Sequence, residues 1–201
     1  MNKLYSFITV AITISIIMGT INALDIIGSR QAIADDFEQT TGEGDIGEWF
    51  INGDVPQDPN NLGHAVQWHI NRVSDISRSG MYSVELFIDG KQDDGTIWLE
   101  RKISAKENSQ TRVSVSFWLN SEQESSTIAD VVSYAGNSKP TVEDDFTVVG
   151  TANEVAGWTN YSFTADLTTD SNGDTWVAVG ISVRWETCMT YYIDDVRIEI
   201  A

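Results

Sequence analysis

An aspartate interrupts the apolar face of the last predicted strand. In the closing stretch "TYYIDDVRIEI", Asp194 is in phase with three apolar residues, Val196, Ile198 and Ile200. Alternate residues of a strand point to opposite faces, so Asp194 is predicted to face the core and Asp195 to face solvent. A buried carboxylate without a partner costs several kcal/mol. We therefore expect a cation, an arginine or a set of backbone N–H donors beside Asp194.

Outward-facing aromatic side chains form a second candidate site. Sugar rings stack on exposed aromatic faces, while neighbouring polar groups bind their hydroxyls. Alternation in "RVSVSFWLN", "TWVAVGISVRW" and "YSVELF" predicts outward positions for the ligand-binding candidates Trp118, Ser116, Arg184, Ser182, Trp176 and Phe87. If the strands that carry Trp118 and Trp176 are neighbours, these side chains form one polar and aromatic patch. The alternative is that a loop covers the outward tryptophans, with residues 52–66 and 137–146 as the candidates.

Catalytic groups are sparse in this sequence. Glu100, on an outer face with Trp98, and Glu186 are the carboxylates that a glycoside-cleaving site would use. No feature of the sequence places them at the separation of about 5–9 Å that this chemistry needs. Neither His64 nor His69 accompanies a "GxSxG" motif for nucleophilic catalysis. The chain is therefore predicted to bind a ligand rather than to react with it.

The side chains above lie on segments that alternate between apolar and polar residues. These segments are "HINRVSD", "YSVELFID", "TIWLERKI", "RVSVSFWLN", "IADVVSYAG", "WTNYSFTADL", "TWVAVGISVRW" and the closing stretch. Clusters of Gly, Asn, Asp and Ser, such as "DGKQDDG" and "TTDSNGD", separate them, as turns require. Beyond the N-terminus no segment has a sustained helical period. The pattern predicts an all-β, two-sheet antiparallel β-sandwich of eight or nine strands.

The charge balance restricts the partners of this protein. The chain has 201 residues with 12 Lys+Arg and 30 Asp+Glu, for a formal net charge of -18. Such a surface repels nucleic-acid phosphates and anionic lipid headgroups, and it favours divalent cations. Cys188 is the single cysteine, and His64 and His69 are the only histidines. Neither an internal disulfide nor a zinc or haem site is therefore expected.

The N-terminus has the features of a secretory signal peptide. Lys3 precedes an apolar run from about Leu4 to Met18, which is shorter than the ~20 residues of a membrane-spanning helix. Cleavage after Ala23 would give a helical signal peptide at 1–23, a linker at 24–34 and one β-sandwich domain at 35–201. The protein is thus predicted to be secreted or held at the cell surface. Membrane contact is expected only if the segment is retained as an anchor.

A set of motifs occurs in the order found in a known superfamily. They are "DDFE" (Asp35–Glu38), "SRSGMYSVELF", "VSFWL", "GWTNYSF" and "YYIDDVRI". Together they resemble the jelly-roll carbohydrate-binding-module superfamily, a galactose-binding-domain-like β-sandwich. The resemblance spans about Asp35 to Ile200 and implies jelly-roll topology and an extracellular carbohydrate ligand. The same architecture also occurs in adhesion domains and in domains of surface-layer proteins.

The resemblance also implies a structural calcium ion. In that superfamily a calcium ion commonly joins the first strand, the loop before the "sG" strand and an aspartate of the last strand. By position, the ligands would be Glu38, a backbone carbonyl near Ser79 and Gly80, and Asp194. Calcium takes hard oxygen ligands in irregular geometry, which suits donors from distant strands. Ca2+ is thus the one cofactor expected.

These observations predict an exported, calcium-stabilised, non-catalytic module that binds extracellular carbohydrate. One alternative is a structural or adhesive cell-surface domain whose partner is a protein or the cell envelope, and another is a glycoside-acting β-sandwich enzyme. A carbohydrate-binding module predicts a groove with at least two open aromatic rings. An adhesive domain predicts covered tryptophans and an exposed apolar edge, and an enzyme predicts two carboxylates that converge.

Overall fold

Two antiparallel β-sheets packed face to face make up the described part of the chain. The computed structural model describes residues 31–39, 45–122 and 128–201. Its strands are β1 (Gln31–Asp35), β2 (Phe50–Asp54), β3 (Trp68–Val73), β4 (Ser83–Asp89), β5 (Thr96–Ser104), β6 (Gln110–Ser121), β7 (Ala129–Gly136), β8 (Thr147–Thr151), β9 (Gly157–Thr168), β10 (Asp174–Val183) and β11 (Cys188–Ile200). These ranges contain no helix with both the length and the apolar character that a membrane span requires. The predicted all-β sandwich is therefore confirmed, whereas the predicted signal-peptide helix lies outside the described residues.

The sheet order decides which outward side chains share a surface. Sheet 1 has the order β3-β4-β11-β6-β9, and β1 also pairs with β11. β4 pairs with the first half of β11 and β1 with the second, so both lie along the same edge of that strand. Sheet 2 has the order β2-β5-β10-β7-β8. The strands of Trp118 (β6) and Trp176 (β10) are thus central strands of different sheets.

The core is built from the alternating apolar positions of these central strands. In β6 and β10 the predicted inward residues are at most 1% exposed: Val113, Val115, Phe117, Leu119, Val177, Val179, Ile181 and Val183. Full burial of such a side chain stabilises the fold by about 1.5–3 kcal/mol relative to exposure. The alternation thus directs the intervening residues outward, where a ligand can reach them.

Three short strands were not predicted from the alternation of apolar and polar residues. β1, β2 and β8 have 5 residues each and complete the sheets alongside the longer strands. So few residues give too few alternations to separate a strand from a loop. β1 pairs with the end of β11, so Gln31–Ala34, predicted as linker, belong to sheet 1.

A β-bulge in β11 corrects the predicted orientation of Asp194. The register of β11 against β6 shifts between Asp194 and Arg197, and Asp195 has a left-handed φ of 49°. Buried apolar residues therefore fall on odd numbers before the bulge, as at Ile193, and on even numbers after it, as at Val196. Asp194 pairs with Trp118 and lies on the outer face of sheet 1. The prediction that Asp194 shares the core face is wrong because one extra residue reverses the alternation.

Candidate functional site

The predicted ligand-binding residues do not form one patch. Phe87, Ser116 and Trp118 lie on the outer face of sheet 1, whereas Trp176, Ser182 and Arg184 lie on or directly after β10, on the outer face of sheet 2. The condition for a single patch is not met, because β6 lies between β11 and β9 while β10 lies between β5 and β7. Packed sheets are about 10 Å apart, so the two groups face opposite sides of the molecule. Each face is therefore a separate candidate site.

Residues 137–146, here called the strap, cross the outer face of sheet 2. The centroid of the Phe146 ring lies 4.9 Å from that of Trp98. Lys139 Nζ lies 2.5 Å from Oε1 of Glu100. Trp98 and Glu100 are both fully buried, and the Trp98 indole N–H donates to Glu100 Oε2 at 2.8 Å. The strap, one of the two loops considered as a cover for the outward tryptophans, thus covers Trp98 and the middle of this face and leaves Trp176 partly open.

Gly180 of β10 makes room for the covered tryptophan. Gly180 pairs with Trp98, and a Cβ at Gly180 would lie 2.7 Å from the Trp98 Cβ. Such a contact is too close for two carbon atoms, so any other residue would push β5 away from β10. The glycine therefore positions Trp98 under the strap.

Two of the predicted ligand-binding residues hold the strap in place. Arg184 Nη1 donates to Glu143 Oε1 at 2.9 Å, and its Nε donates to Asp130 Oδ2 at 2.7 Å. Thr96 Oγ1 lies 2.9 Å from Glu143 Oε2 and 2.8 Å from Ser182 Oγ. Ser182 is fully buried. The polar groups of Ser182 and Arg184 therefore bind other protein atoms beneath the strap.

The carboxylates of the strap make its attachment sensitive to acid. Burial tends to raise the pKa of Glu143, but hydrogen bonds from Arg184 and Thr96 outweigh it and the pKa is lowered from 4.5. The backbone N–H groups of Thr141 and Val142 lower the pKa of Asp145 from 3.8. A lowered folded-state pKa gives stability that is present above the unfolded value and lost as the pH falls through the folded value.

We therefore expect the strap to open as the pH falls below about 4. Hydrogen exchange of residues 137–146, corrected for intrinsic rates, should accelerate there while the central strands stay protected. The Glu143→Gln variant should lose most of this pH dependence, because it removes the principal titrating group. Strap exchange that does not change between about pH 7 and about pH 3 would contradict this account.

Beside the strap lies an open surface that we call the Trp176 patch. It consists of two aromatic rings and two lysine side chains: Phe50, Trp176, Lys102 and Lys139. Phe50 is 56% exposed, and its ring centroid lies 6.4 Å from that of the half-buried Trp176. Lys139 Nζ lies 5.8 Å from the centroid of the Trp176 ring. Lys102 Nζ pairs with Asp174 Oδ2 at 2.8 Å. The patch thus combines stacking surface with hydrogen-bond donors, which is the chemistry that binds a sugar ring.

The two carboxylates considered for catalysis lie in different surroundings. Glu100 is fully buried beneath the strap and paired with Lys139. Glu186 is exposed on the turn between β10 and β11. Glycoside cleavage needs two carboxyl groups that flank one bond, with the substrate between them. The strap and Lys139 stand between Glu100 and any such substrate.

On the outer face of sheet 1, other side chains contact the predicted ligand-binding residues. The Arg78 guanidinium carbon lies 3.8 Å from the centroid of the Trp118 ring. Phe87 stacks on His69 with centroids 4.9 Å apart, and His69 Nε2 lies 2.8 Å from Glu85 Oε1. Arg78 therefore covers part of the Trp118 ring, whereas Phe87 belongs to a group of polar and aromatic side chains.

Backbone N–H groups surround the Asp194 carboxylate. Asp194 is fully buried beneath the loop between β3 and β4. Its Oδ2 accepts from the backbone N–H of Arg78 at 2.8 Å and of Ser79 at 3.1 Å, and its Oδ1 accepts from that of Asp195 at 2.7 Å. Burial raises the pKa of Asp194, and the N–H bonds oppose this shift. Asp195 is partly buried and pairs with the Arg78 side chain, so it is not simply solvated as predicted.

Glu38 binds the same loop in the same way. Its Oε1 accepts from the backbone N–H of Met81 and of Tyr82, each at 2.8 Å. Gly80 has a left-handed φ of 59°, and a Cβ at this position would collide with the Glu38 carboxylate. Gly80 is therefore needed both for the turn and for the approach of Glu38.

The described residues do not fit a calcium ion between Glu38, Gly80 and Asp194. N–H groups donate to both carboxylates, and an N–H that points at an oxygen repels a cation there. The predicted carbonyl ligand also has a donor, because the Ser77 hydroxyl donates to the Gly80 carbonyl at 3.2 Å. Across the ranges that the structure describes, no group of three or more His, Cys, Asp or Glu side chains could hold a metal ion. Calcium at this junction is therefore implied by the resemblance alone and is untested, and the donors described here favour a junction without it.

A chelator experiment tests that prediction directly. Because backbone donors already satisfy both carboxylates, we expect EDTA to leave the melting temperature of the purified protein unchanged and added Ca2+ to have no effect. A melting temperature that falls in EDTA and recovers with Ca2+ would establish the metal. The Asp194→Ala variant is the control, because a calcium-dependent shift should be absent from it.

Comparisons with known proteins agree with this architecture. No protein-family model matches the chain, and no curated protein sequence matches it significantly. The tandem CBM22-1-CBM22-2 domain of Xyn10C from Paenibacillus barcinonensis superposes with a TM-score of 0.51 and 17% identity, over 84% of this chain and 50% of that one. A carbohydrate-binding module of the β-sandwich superfamily with promiscuous specificity gives 0.50 and 14%, over 81% and 61%. At these identities the likeness shows the β-sandwich fold alone, which is the fold that the resemblance implied.

Proposed function

We propose that this chain is a non-catalytic carbohydrate-binding module that binds a glycan at the Trp176 patch. The observation that carries the proposal is the ring pair of Phe50 and Trp176, which lies open at the edge of the strap. A sugar stacked on these rings would remove apolar surface from water. The jelly-roll fold supports the same proposal, because carbohydrate-binding modules share it.

The polar side chains of the patch suit hydroxyl recognition. The side chains of Lys102 and Lys139 are 48% and 44% exposed, so each keeps donors available for a sugar hydroxyl while paired with an acid. Lys139 of the strap lies beside the Trp176 ring, while Phe50 is 56% exposed. A net charge of -18 disfavours acidic polysaccharides, so the expected ligand is an uncharged glycan. The predicted signal peptide supports an extracellular ligand.

Binding assays with polysaccharides of different charge test this function. We expect the purified protein to be retained in affinity gels by at least one of xylan, β-glucan, galactan or chitin. A uronic-acid polymer such as polygalacturonate should not retain it at low salt. Failure of every neutral polymer to retain the protein would contradict the proposal.

A second function, adhesion to a protein or the cell envelope, has one observation in its favour. Val148 of the edge strand β8 is 50% exposed, and Val142 of the strap is 43% exposed nearby in sequence. Exposed apolar edges pair readily with other chains. Envelope binding that survives Trp176→Ala and is lost in Val148→Lys would favour this second function over glycan binding.

A further inference from the structure

The outer face of sheet 1 carries a continuous row of polar and aromatic residues. The strand registers place Asn71, Glu85, Tyr192, Asn120 and Trp158 side by side on β3, β4, β11, β6 and β9. Neighbouring strands are about 4.8 Å apart, so the row spans about 19 Å across the sheet. We call this set the Asn120 row. It is on the opposite side of the sandwich from the Trp176 patch and shares no residue with it.

The amide in the middle of the row lacks a partner. Asn120 is only 4% exposed, and its side chain makes no hydrogen bond to any other residue in the described part of the chain. Among the described residues, the buried side-chain atoms without a partner are Glu100 Oε1 and Thr175 Oγ1, so the amide of Asn120 reaches solvent and is open to a ligand. An amide offers a donor and an acceptor together, which matches a sugar hydroxyl.

The neighbours of Asn120 add hydrogen-bonding groups and negative charge. Tyr192 is 6% exposed, and its hydroxyl donates to Glu122 Oε1 at 3.3 Å. Burial raises the pKa of Tyr192 to about 12, with further contributions from Glu122, Glu85 and Asp75. The phenol therefore stays protonated, and the surrounding carboxylates repel an anionic ligand.

Aromatic rings stand at both ends of the row. Trp158 is half-buried on β9 at one end. At the other end Phe87 stacks on His69, and His69 is 40% exposed at its side chain. Hydrogen-bonding groups flanked by stacking rings are the arrangement that holds several sugars of one chain.

We propose that the Asn120 row is a second binding surface, specific for an uncharged glycan chain. It goes beyond the proposed function because it requires no contact with Trp176. Since the two surfaces lie on opposite faces, one molecule of the protein would hold two separate glycan chains and link them. Occupation of both surfaces would also raise retention on an insoluble polysaccharide through a high effective concentration.

Calorimetric titration with soluble xylan, β-glucan, galactan and chitin oligosaccharides tests the proposal. Asn120→Ala should lower affinity at the row about tenfold or more, which is about 1.4 kcal/mol. Its melting temperature should not fall, because the amide it removes has no partner to lose. Asn71→Ala, at an exposed position, is the second variant and carries little risk to folding.

The stoichiometry separates the two sites. We expect two oligosaccharides per wild-type molecule, one bound with wild-type affinity per molecule of Trp176→Ala or Asn120→Ala, and none with that affinity in the double variant. The Trp158 indole signal should shift on titration of Trp176→Ala. If Trp176→Ala binds no oligosaccharide, or if both row variants bind as wild type does, the second surface is overturned. A single site in the wild type that Trp176→Ala leaves unchanged and Asn120→Ala weakens would instead overturn the function proposed above.

Discussion

Replacing Trp176 with alanine is expected to lower the affinity for a retained neutral polysaccharide about tenfold or more at the Trp176 patch. Truncation of an aromatic residue at the centre of a binding surface typically costs about 2 kcal/mol or more. Trp176 is half-buried on the outer face of sheet 2, so its ring supports no core residue. The variant should therefore keep its melting temperature, while its retention in an affinity gel falls to the part that the Asn120 row supplies.

Two other tryptophans provide matched controls for this variant. Trp185 is 63% exposed on the turn between β10 and β11, outside the patch. Trp118 lies on the other sheet beneath Arg78. If general exposure of tryptophan explained retention, Trp185→Ala would weaken it as much as Trp176→Ala does. Binding lost in Trp118→Ala and kept in Trp176→Ala would place the principal site on sheet 1 instead.

Removing the Asp194 carboxylate should have the largest effect on stability. Asp194→Ala leaves the backbone N–H groups of Arg78, Ser79 and Asp195 without their acceptor. Buried donors without an acceptor cost about 1–3 kcal/mol each, although solvent will reach some of them, so we expect about 2–4 kcal/mol in total. For a chain of this length that loss lowers the melting temperature by about 5–15 °C.

The neighbouring aspartate is the control for that loss. Asp195 shares the bulge and contacts the same loop, but its side chain is 23% exposed. Asp195→Asn keeps a residue that tolerates the left-handed conformation and should melt within a few degrees of wild type. Equal losses in the two variants would indicate that the loop contact as a whole, rather than the buried carboxylate, stabilises the junction. An unchanged melting temperature in Asp194→Ala would contradict the role given to it.

Part of the candidate site could be predicted from the alternation in the sequence. Trp176 was predicted to point outward, and it does so on the outer face of sheet 2. Phe50, its partner ring, was missed because β2 is only 5 residues long. A signal was available: Trp49 is 4% exposed and faces the core, so alternation sends Phe50 outward. Whether the predicted residues bind a ligand stays a prediction.

The surroundings of Asp194 depend on tertiary contacts that the local sequence pattern does not contain. A buried aspartate in an apolar strand needs hydrogen-bond partners. Asp194 has backbone N–H donors, which were one of the alternatives expected from the sequence. Its face was predicted wrongly, because the bulge at Asp195 reverses the alternation at that point. The N–H groups of Arg78 and Ser79 come from a loop more than a hundred residues earlier in the chain. No pattern within the last strand can specify such a contact.

The sequence by itself determined the β-sandwich, the residues of its core and the outward direction of most side chains. These follow from a period of two, which any segment of a few residues displays locally. Only the tertiary structure decided which strands are neighbours, which outer face the strap covers and where the bulge reverses a strand. Those properties depend on contacts between residues far apart in the chain. Two strands with the same alternation of apolar and polar residues can belong to the same sheet or to different sheets.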